Sequence, residues 1–403
     1  MDLTKIGFLT KELIKYKTAR PQDLVCNEKS LIERDYFIKE INDCMNYIQK
    51  SLHPSLIIER AKEHVEDISC PIMIAKFQDN NEPDLLIIGH IDVVAAEESQ
   101  FHPFEKEGKI YGRGAKDMKS GVAAMIEIMN YYAEKGAKPN IAIAVVSDEE
   151  SGGLRGANLI VNGMGYRPKF VITPDPGEKH CIINKEKGFI WFTVTVVGRS
   201  GHPSRPWLAD CAFSKAFKIW IDIDNKFNCA LSEVDWKTSA VIIGIEKIFQ
   251  NADGTFSSDN SRAIAGIVRL KIDIRYTENE DIEKIKLELN ELVKRYGDNN
   301  KIEYDNIAPV CFTPEDNEFV KSFKHCADSI EEDNIPILPS AGASDLRYFS
   351  EKKIPCVNYG PKGGNHHAAN EYVEVSSIAA FYNVITKYID EYIINKQILS
   401  RKS

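Results

Sequence analysis

The stretch IAIAVVSDEE, from Ile141 to Glu150, is a short apolar run that ends abruptly in three carboxylates. A run of this length and β-branched content suits a strand buried on both faces of a parallel sheet, although periodicity alone is also compatible with a buried helix. Taken as a strand, it places Asp148, Glu149 and Glu150 at the mouth of the crevice where open α/β sheets bind ligands. Three adjacent acids repel one another unless a positive group joins them, and a solvated acidic turn is the ordinary alternative.

Composition narrows the class of partner. The chain has 403 residues, 43% hydrophobic content and 28% charged content, which is typical of a globular chain with a sizeable core and two or three domains. Its net charge of -9 disfavours nucleic acid and anionic membranes, because both are bound mainly through clustered Lys and Arg. We therefore expect a small substrate, with no nucleic-acid or membrane partner.

The sequence also predicts a compartment. The first residues, MDLTKIGFLTKELIKYK, indicate an amphipathic helix without the apolar segment and cleavage site of a secretory signal. No stretch approaches membrane-spanning length. Nine cysteines lie between Cys26 and Cys356 without a CxxC pair, which is typical of buried thiols in a reducing compartment. We predict a cytoplasmic protein.

Other predicted strands also end in chemically active side chains. In LLIIGHIDVV, His90 and Asp92 lie two residues apart and so point to one side of a strand. A lone histidine there would be an ordinary core residue, but a nearby carboxylate that accepts a ring N–H is how metal-bound imidazoles are oriented. Asp175 follows a further predicted strand, from Phe170 to Thr173.

The loop GRGAKDMKSG carries another acid. Gly112 and Gly114 suggest a nucleotide-binding loop, but the position of its last glycine is Asp117, whose charge would oppose a phosphate. We expect instead that the glycines let the backbone bend and turn Asp117 back into the crevice. An amphipathic helix is predicted to begin at about Met118.

The pattern changes at about Gly188 and changes back before Glu315. Between these positions an alternating strand, a helix, two strands and a charged helix predict a separate small α+β unit inserted into the first domain. After it come a helix, the loop SAGASDLRYF, the strand IPCVNYG, the loop PKGGNHHAANE and a C-terminal helix. The predicted organisation is a domain of residues 1–187 and 309–403 with an inserted domain of residues 188–308.

Seven motifs occur in an order that resembles a known group: GHIDVV, PFEKEGKIYGRGAKDMKSG, SDEESGG, VGRSGHPS, KIDIRY, AGASDLRYF and HHAANEYV. They resemble the dinuclear zinc hydrolases that include acetylornithine deacetylase, succinyl-diaminopimelate desuccinylase, aminoacylase, carboxypeptidase G and the di- and tripeptidases. The resemblance spans about residues 85–375. It implies an aminopeptidase-like α/β domain with a mostly parallel sheet and flanking helices. It also implies an inserted α+β lid domain through which the chain forms a homodimer.

The resemblance also implies the metal ligands. One zinc ion would be held by His90 and Asp175, the second by Glu150 and a histidine of the NHHAANE loop, and Asp117 would bridge the two. The family's H-x-x-x-E spacing, counted back from Glu371, selects His367, and the role of His366 stays open. Glu149 would be the general base and Asp92 would orient His90.

The chemistry calls for these residue types independently. Zinc accepts imidazole nitrogen and carboxylate oxygen, and a catalytic site keeps a position open for water. Two zinc ions about 3.5 to 4 Å apart can share one hydroxide and clamp both oxygens of a tetrahedral intermediate, although cobalt or manganese could occupy the same donors. Glu149 cannot ligate from the same direction as Glu150, which leaves it to take a proton from water and give it to the leaving amine.

Four further residues are candidates for substrate contacts. In the family the histidine that matches His202 stabilises the oxyanion, often from the partner subunit, whereas a surface histidine is the plain alternative. Arg275 in KIDIRY could pair with a substrate carboxylate or form an ordinary strand-end salt bridge. Ser344 and Arg347 in the loop AGASDLRYF are weaker candidates for substrate binding.

Departures from the family pattern bear on the substrate. Asp175 stands where deacetylases, desuccinylases and aminoacylases usually carry Glu and several peptidases carry Asp, which favours a peptide. The hypothesis is a metal-dependent hydrolase that cleaves an amide bond in a small peptide or an N-acyl amino acid. The alternatives are a deacylase of the acetylornithine deacetylase or desuccinylase type and a catalytically silent binding protein on the same fold.

Overall fold

The computed structural model describes residues 3–20, 28–65, 68–175, 177, 179–228, 236–250, 256–257 and 263–395. The chain forms two compact units. Unit 1 comprises Met1–Lys185 and Cys311–Ser403, and unit 2 comprises Glu186–Val310. Labels below follow chain order across both units.

Unit 1 contains a nine-stranded sheet with a parallel centre. Its strands are β1 (Ile57–Val65), β2 (Ile68–Lys76), β3 (Leu85–His90), β6 (Ile141–Val146), β7 (Val171–Thr173), β8 (Ile182–Glu186), β14 (Cys311–Phe312), β15 (Ile337–Ser340) and β16 (Cys356–Asn358). The order is β1-β2-β6-β3-β7-β16-β8-β14, with β15 paired to β8. Strands β6, β3, β7 and β16 run parallel, whereas β1, β2 and β8 pair antiparallel.

A smaller antiparallel sheet and six α-helices complete unit 1. The sheet has the order β17-β18-β5-β4, with β4 (Phe104–Lys106), β5 (Lys109–Tyr111), β17 (Gly363–Gly364) and β18 (Tyr372–Glu374). The helices are α1 (Leu3–Ile14), α2 (Glu28–Ser51), α3 (Ser120–Glu134), α6 (Glu318–Glu331), α7 (Leu346–Glu351) and α8 (Val375–Tyr388). Short helical turns lie at Glu98–Phe101, Glu149–Ser151, Leu159–Gly163 and Ile389–Ile394.

The sheet is buried on both faces because consecutive residues of its central strands enter different cores. In β3, Leu85 and Ile87 pack into the core that also holds residues of α1, α3, α6 and α8. Leu86 and Ile88 pack into a second core, shared with Leu346 of α7. This three-layer arrangement explains the unbroken apolar runs of β3 and β6, since both faces of each strand must be apolar.

Unit 2 is an antiparallel sheet packed with two helices. Its elements are β9 (Gly188–Val197), α4 (Ala212–Phe227), β10 (Ser239–Gln250), β11 (Phe256–Ser257), β12 (Ile267–Tyr276), α5 (Ile282–Lys294) and β13 (Lys301–Ala308), with a short helical turn at Pro206–Leu208. The order is β11-β10-β12-β9-β13. One apolar core joins this sheet to both helices.

The predicted fold class is confirmed: an α/β part with a mostly parallel sheet and flanking helices, and an additional α+β part. Two boundaries differ from the prediction. Helix α3 begins at Ser120, because Asp117 and Met118 have non-helical backbone angles. The stretch predicted as the loop AGASDLRYF contains the start of α7, because Leu346 and Phe349 lie one helical turn apart and are both fully buried.

Two further observations concern membrane-spanning helices and cysteines. Within the described ranges, no helix is long and apolar enough to cross a membrane. The seven described cysteines are free thiols, and six of them are buried, whereas Cys26 and Cys229 lie outside the described residues.

Candidate metal centre

The carboxyl ends of the parallel strands bring the polar side chains of unit 1 together. His90 is the last residue of β3 and lies beside Val146, the last residue of β6. The acidic turn that begins at Asp148 follows β6, and Asp175 follows β7 two residues after its end. Since parallel strands end at the same edge of a sheet, these side chains converge there.

One group of donor atoms consists of His90, Asp117 and Asp175. Their nearest ligand atoms all lie within 4.8 Å of one another, and the Nε2 of His90 is 3.1 Å from the Oδ1 of Asp117. His90 is fully buried, whereas Asp117 and Asp175 are partly accessible.

A second group consists of Asp117, Glu150 and His367, again with ligand atoms within 4.8 Å of one another. The Nε2 of His367 lies 3.1 Å from the Oδ2 of Asp117 and 3.2 Å from the Oε1 of Glu150. Asp117 therefore directs one oxygen toward each group. His366 is directed elsewhere, with its Nδ1 3.4 Å from the Nζ of Lys116.

The donor atoms fit divalent cations. The Nε2 of His90 and the Oδ1 of Asp117 are buried and face each other at 3.1 Å, and neither atom has a further hydrogen-bond partner among the described residues. The other ring nitrogen of His90, Nδ1, donates to the backbone oxygen of Asp92 at 2.9 Å. A histidine ring with one nitrogen fixed by a hydrogen bond to the backbone and the other directed toward further donor atoms is typical of metal-binding histidines.

Electrostatics favour a positive species at the same atoms. Burial alone would lower the pKa of His90, but contact with Asp117 and the charge of Asp92 hold that pKa well above its usual range. Hydrogen bonds to Asp117 and then to Glu150 raise the pKa of His367 to about 10. Burial opposes ionisation of Asp117, yet its contacts with His367 and His90 lower its pKa. Protons and metal cations compete for the same imidazole nitrogens. The carboxylates that stabilise a proton on His90 and His367 would therefore also stabilise a bound metal cation.

Asp92 contacts the acidic turn as well as the histidine. Its two carboxylate oxygens accept the backbone N–H groups of Glu149 at 3.3 Å and Glu150 at 3.0 Å. The distance from its Oδ1 to the Nδ1 of His90 is 3.6 Å, longer than the contact made by its backbone oxygen. Burial raises the pKa of the Asp92 carboxyl to about 7. The role expected from the sequence therefore extends to positioning the turn that carries Glu149 and Glu150.

Glu371, used in the sequence only to select His367, connects the loops that carry Asp117 and His367. Its fully buried carboxylate accepts hydrogen bonds from Arg113 Nη1 at 2.6 Å and from the backbone N–H groups of Gly114, Lys116 and Asp117 at 2.9 to 3.0 Å. The signal that could have revealed this role is a glutamate at H-x-x-x-E spacing together with a loop rich in glycine that needs acceptors for its N–H groups.

Glu149 lies beside this network in a partly exposed position. Burial, and after it the charges of Asp175 and Asp345, raise its pKa well above the usual range, against the opposing charges of His90 and Arg347. Arg347 is itself buried and donates to the backbone oxygen of Gly152 at 2.6 Å. Ser344 is also buried, and its Oγ accepts the N–H of Leu346 at 3.3 Å.

The remaining candidates, His202 and Arg275, belong to unit 2. His202 is exposed, and its Nδ1 lies 2.7 Å from the Oγ of Ser204. Arg275 pairs with Asp273 through contacts of 3.0 to 3.1 Å and lies over the ring of Phe189. Arg275 therefore makes the strand salt bridge that the sequence left as its alternative.

The fold and the donor groups define the class of the protein, an α/β metal-dependent hydrolase. Residues 86–391 match Peptidase family M20/M25/M40, and the chain belongs to that family. The membership confirms the predicted family and the predicted hydrolase.

Named relatives differ in their substrates. The chain is 27% identical over 317 residues to a succinyl-diaminopimelate desuccinylase of Nitrosospira multiformis, which covers 73% of this chain and 80% of the relative. It is similar in structure to aminopeptidase PepT of Bacillus cereus, with a TM-score of 0.75, 18% identity and coverage of 97% and 99% of the two chains. A tripeptidase of Staphylococcus aureus gives a TM-score of 0.70, 18% identity and coverage of 96% and 98%. These two structural likenesses support the fold.

Proposed function

We propose that this hydrolase cleaves the amide bond of a small peptide, acting as an exopeptidase. The observation that carries the proposal is the position of Asp117, whose two oxygens face two separate groups of metal donors. Asp175, at a position where several peptidases of the family carry Asp, supports a peptide substrate, and the names of the structural relatives agree with it.

The proposed cofactor is a pair of divalent cations, zinc in the first instance and cobalt or manganese as alternatives. His90 and Asp175 would hold one ion, Glu150 and His367 the other, and Asp117 both. Bound there, the ions would polarise the scissile carbonyl and make the attacking water more acidic.

Side chains of the protein would then move the proton and bind the substrate. Glu149 is proposed to take the proton of the attacking water and to deliver it to the leaving amine, since a base with a raised pKa is suited to both steps. Asp92 would keep the Glu149 turn in place through its two backbone contacts. His202 is proposed to donate to the oxyanion, while Arg275, Ser344 and Arg347 remain proposed substrate contacts.

A second candidate function is removal of an acyl group from an N-acyl amino acid. It is favoured by the desuccinylase name of the relative that is 27% identical.

A homodimer is also proposed. Helix α4 exposes Phe213, Phe217 and Ile221 at successive turns, and apolar surface of this kind is typical of interfaces. A cytoplasmic location remains a prediction.

Metal analysis combined with a substrate panel tests the proposal. The purified protein would be assayed for bound metal and for release of free amine from dipeptides, N-acetyl amino acids and N-succinyl amino acids. We expect about two ions per chain and the highest kcat/KM with a peptide. Highest activity with an N-acyl amino acid would establish the deacylase, and bound metal without any hydrolysis would establish a binding protein.

The variant Glu149→Gln tests the assigned base. We expect kcat to fall by about 10²- to 10⁴-fold with metal content unchanged, because the amide cannot accept the proton of water. The matched control is Glu97→Gln, which alters an exposed glutamate of the same unit and should leave kcat unaltered. Normal turnover by Glu149→Gln would show that the base is another residue.

A further inference from the structure

Nine described residues line a cavity of about 80 Å³ in unit 1, and four of them are basic. Lys116, Lys179, His180 and Lys362 contribute side chains to its wall, and Gly177 contributes backbone. Three ammonium groups around one cavity create a positive potential that concentrates anions. This volume is sufficient for a small anionic group such as a carboxylate.

The cavity shares its walls with the segments that carry the metal donors. Lys116 immediately precedes Asp117, Gly177 follows Asp175 by two residues, and Lys362 lies in the segment that leads to His367. Lys116 ties these segments together, because its Nζ donates to the backbone oxygen of Gly177 at 3.0 Å and lies 3.4 Å from the Nδ1 of His366. A group bound in the cavity would therefore lie alongside the donor groups.

Glu331, the last residue of α6, contacts two of the basic residues that line the cavity and reduces their positive charge. Its carboxylate lies 3.1 Å from the Nε2 of His180 and 3.0 Å from the Nζ of Lys362, and it accepts the hydroxyl of Tyr359 at 2.9 Å. The hydrogen bond with His180 is the main cause that lowers the pKa of Glu331 to about 2, so this carboxylate is ionised at neutral pH. Of the four basic residues that line the cavity, this carboxylate contacts His180 and Lys362.

We propose that this cavity binds a carboxylate of the substrate, an inference that rests on the proposed amide hydrolase function. Ammonium groups bind carboxylates through charge-assisted hydrogen bonds. Two kinds of substrate could supply the group: a peptide through its C-terminal carboxylate, or an N-acyl amino acid through the free carboxylate of a dicarboxylic acyl group. The chemistry of recognition is the same for both.

Calorimetric titration of the metal-loaded protein with succinate tests the subsite without turnover. We expect Lys362→Met to weaken succinate binding about tenfold and Lys179→Met, which alters an exposed lysine, to weaken it about two- to threefold. The matched control is Lys169→Met, since Lys169 is 65% exposed and pairs with Asp84 away from the cavity wall. Succinamide, which lacks the charges, should not distinguish the variants. Equal affinity of the wild type and Lys362→Met for succinate would overturn the proposal.

Glu331→Gln supplies a test of opposite sign. Removing the negative charge of Glu331 should tighten succinate binding about threefold or more, whereas damage to the local structure would weaken it. Weaker or unchanged binding in this variant would contradict the proposed role of the cavity charge.

Kinetics with matched substrates identify the source of the carboxylate. If the peptide terminus binds here, Lys362→Met raises the KM of a dipeptide and leaves that of its C-terminal amide unchanged. If a dicarboxylic acyl group binds here, the same variant raises the KM of an N-succinyl amino acid and not of its N-acetyl counterpart. Succinate binding that depends on the lysines, without amide hydrolysis, would refute the proposed function alone. Hydrolysis with lysine-independent succinate binding would refute the subsite alone.

Discussion

Glu371 lies where the loop carrying Asp117 meets the loop carrying His367. Three backbone N–H groups and one guanidinium donate to its carboxylate, and the backbone N–H of Gly112 donates to its carbonyl oxygen at 3.0 Å. A buried carboxylate is costly unless such donors satisfy it. Here the donors are the same groups that fix the direction of Asp117, so stability of the loop and geometry of the site depend on one side chain.

We predict that Glu371→Gln weakens metal binding by about 10- to 100-fold. Glutamine keeps one acceptor oxygen but turns an NH₂ group toward backbone donors, so the loop would shift and Asp117 with it. Competition with a chromogenic chelator measures the affinity directly. Glu374→Gln, three residues further along the chain, is the control and should bind metal normally. Metal affinity unchanged by Glu371→Gln would show that the loop holds Asp117 without this anchor.

At the scale of single residues, the sequence predicts which side chains are candidate metal ligands better than it predicts the contacts that those side chains make. The strand ends indicated His90, Glu150 and Asp175 as a group because acids and a histidine at such positions must converge, and the glycine-rich loop added Asp117. The contact between Asp92 and the backbone of Glu149 and Glu150 could not be predicted, since it depends on the tight turn that the chain makes after β6. The pairing of Arg275 with Asp273 depends on side-chain conformation, which sequence spacing does not determine.

The acidic turn after β6 is positioned by a neighbouring helix. Arg347 and Tyr348 of α7 both donate to the backbone oxygen of Gly152, at 2.6 and 2.5 Å. Gly153, the next residue, has a φ of +62°, and a Cβ there would lie 1.9 Å from the Oδ1 of Asp345. The turn and α7 can approach this closely only because Gly153 has no side chain.

We predict that Gly153→Ala destabilises the protein by about 1–3 kcal/mol more than Gly165→Ala. Gly165 has a similar φ of +73° but no atom within 4 Å of an added Cβ among the described residues, so it measures backbone strain alone. Denaturant unfolding of both variants gives the difference. Gly153→Ala should also lower kcat, because Glu149 would move with the turn. Equal stability of the two variants would mean that α7 can move away from the added Cβ at position 153 without loss of stability.

The sequence predicts a loop where α7 begins and predicts no strand at β13, because neither element has a clear local pattern. Helix α7 is only six residues long, too short for a clear apolar period, and β13 alternates between exposed and half-buried residues with several charges. Strand β13 becomes a strand because it pairs with β9 along the edge of the unit 2 sheet. Tertiary pairing of this kind is absent from local sequence patterns.

At the scale of the whole molecule, the exposed apolar face of α4 is typical of a protein–protein interface. Phe213, Phe217 and Ile221 are 43%, 58% and 41% exposed, and within the described ranges β10, next to α4, pairs on its outer side with the two residues of β11. Exposed sheet edges and apolar stripes are costly in a free subunit. Both features belong to unit 2, and they support the proposed homodimer.

We predict that the wild type is a dimer and that Phe217→Lys shifts it to monomer, measured by size-exclusion chromatography with light scattering. A lysine at the centre of the stripe would have to be buried with its charge. Leu287→Lys is the matched control, because Leu287 is 60% exposed on α5 of the same unit. A wild-type monomer, or a dimer that survives Phe217→Lys, would place the interface elsewhere or remove it.

Metal removal should act on one unit. The donor groups all belong to unit 1, so a chelator is expected to lower its unfolding temperature and leave that of unit 2 unchanged. At metal concentrations about 1,000 times the Kd, binding contributes on the order of 4 kcal/mol. Differential scanning calorimetry with and without chelator measures the two transitions. A scan that does not respond to the chelator would be inconsistent with a metal centre in these residues.

The division of unit 1 into two chain segments has a consequence for biosynthesis. Strand β16 completes the parallel centre beside β7, and His367 completes the second donor group, yet the ribosome makes both only after all of unit 2. At about 5–20 residues per second, translation from the end of β7 to the start of β16 takes roughly 10 to 40 seconds, and for that time the nascent chain presents the open edge of β7 and a cluster of uncompensated acids. Chaperone binding during synthesis should therefore concentrate on the interval between β7 and β16, and translation stalled there should yield a chain that cannot retain metal.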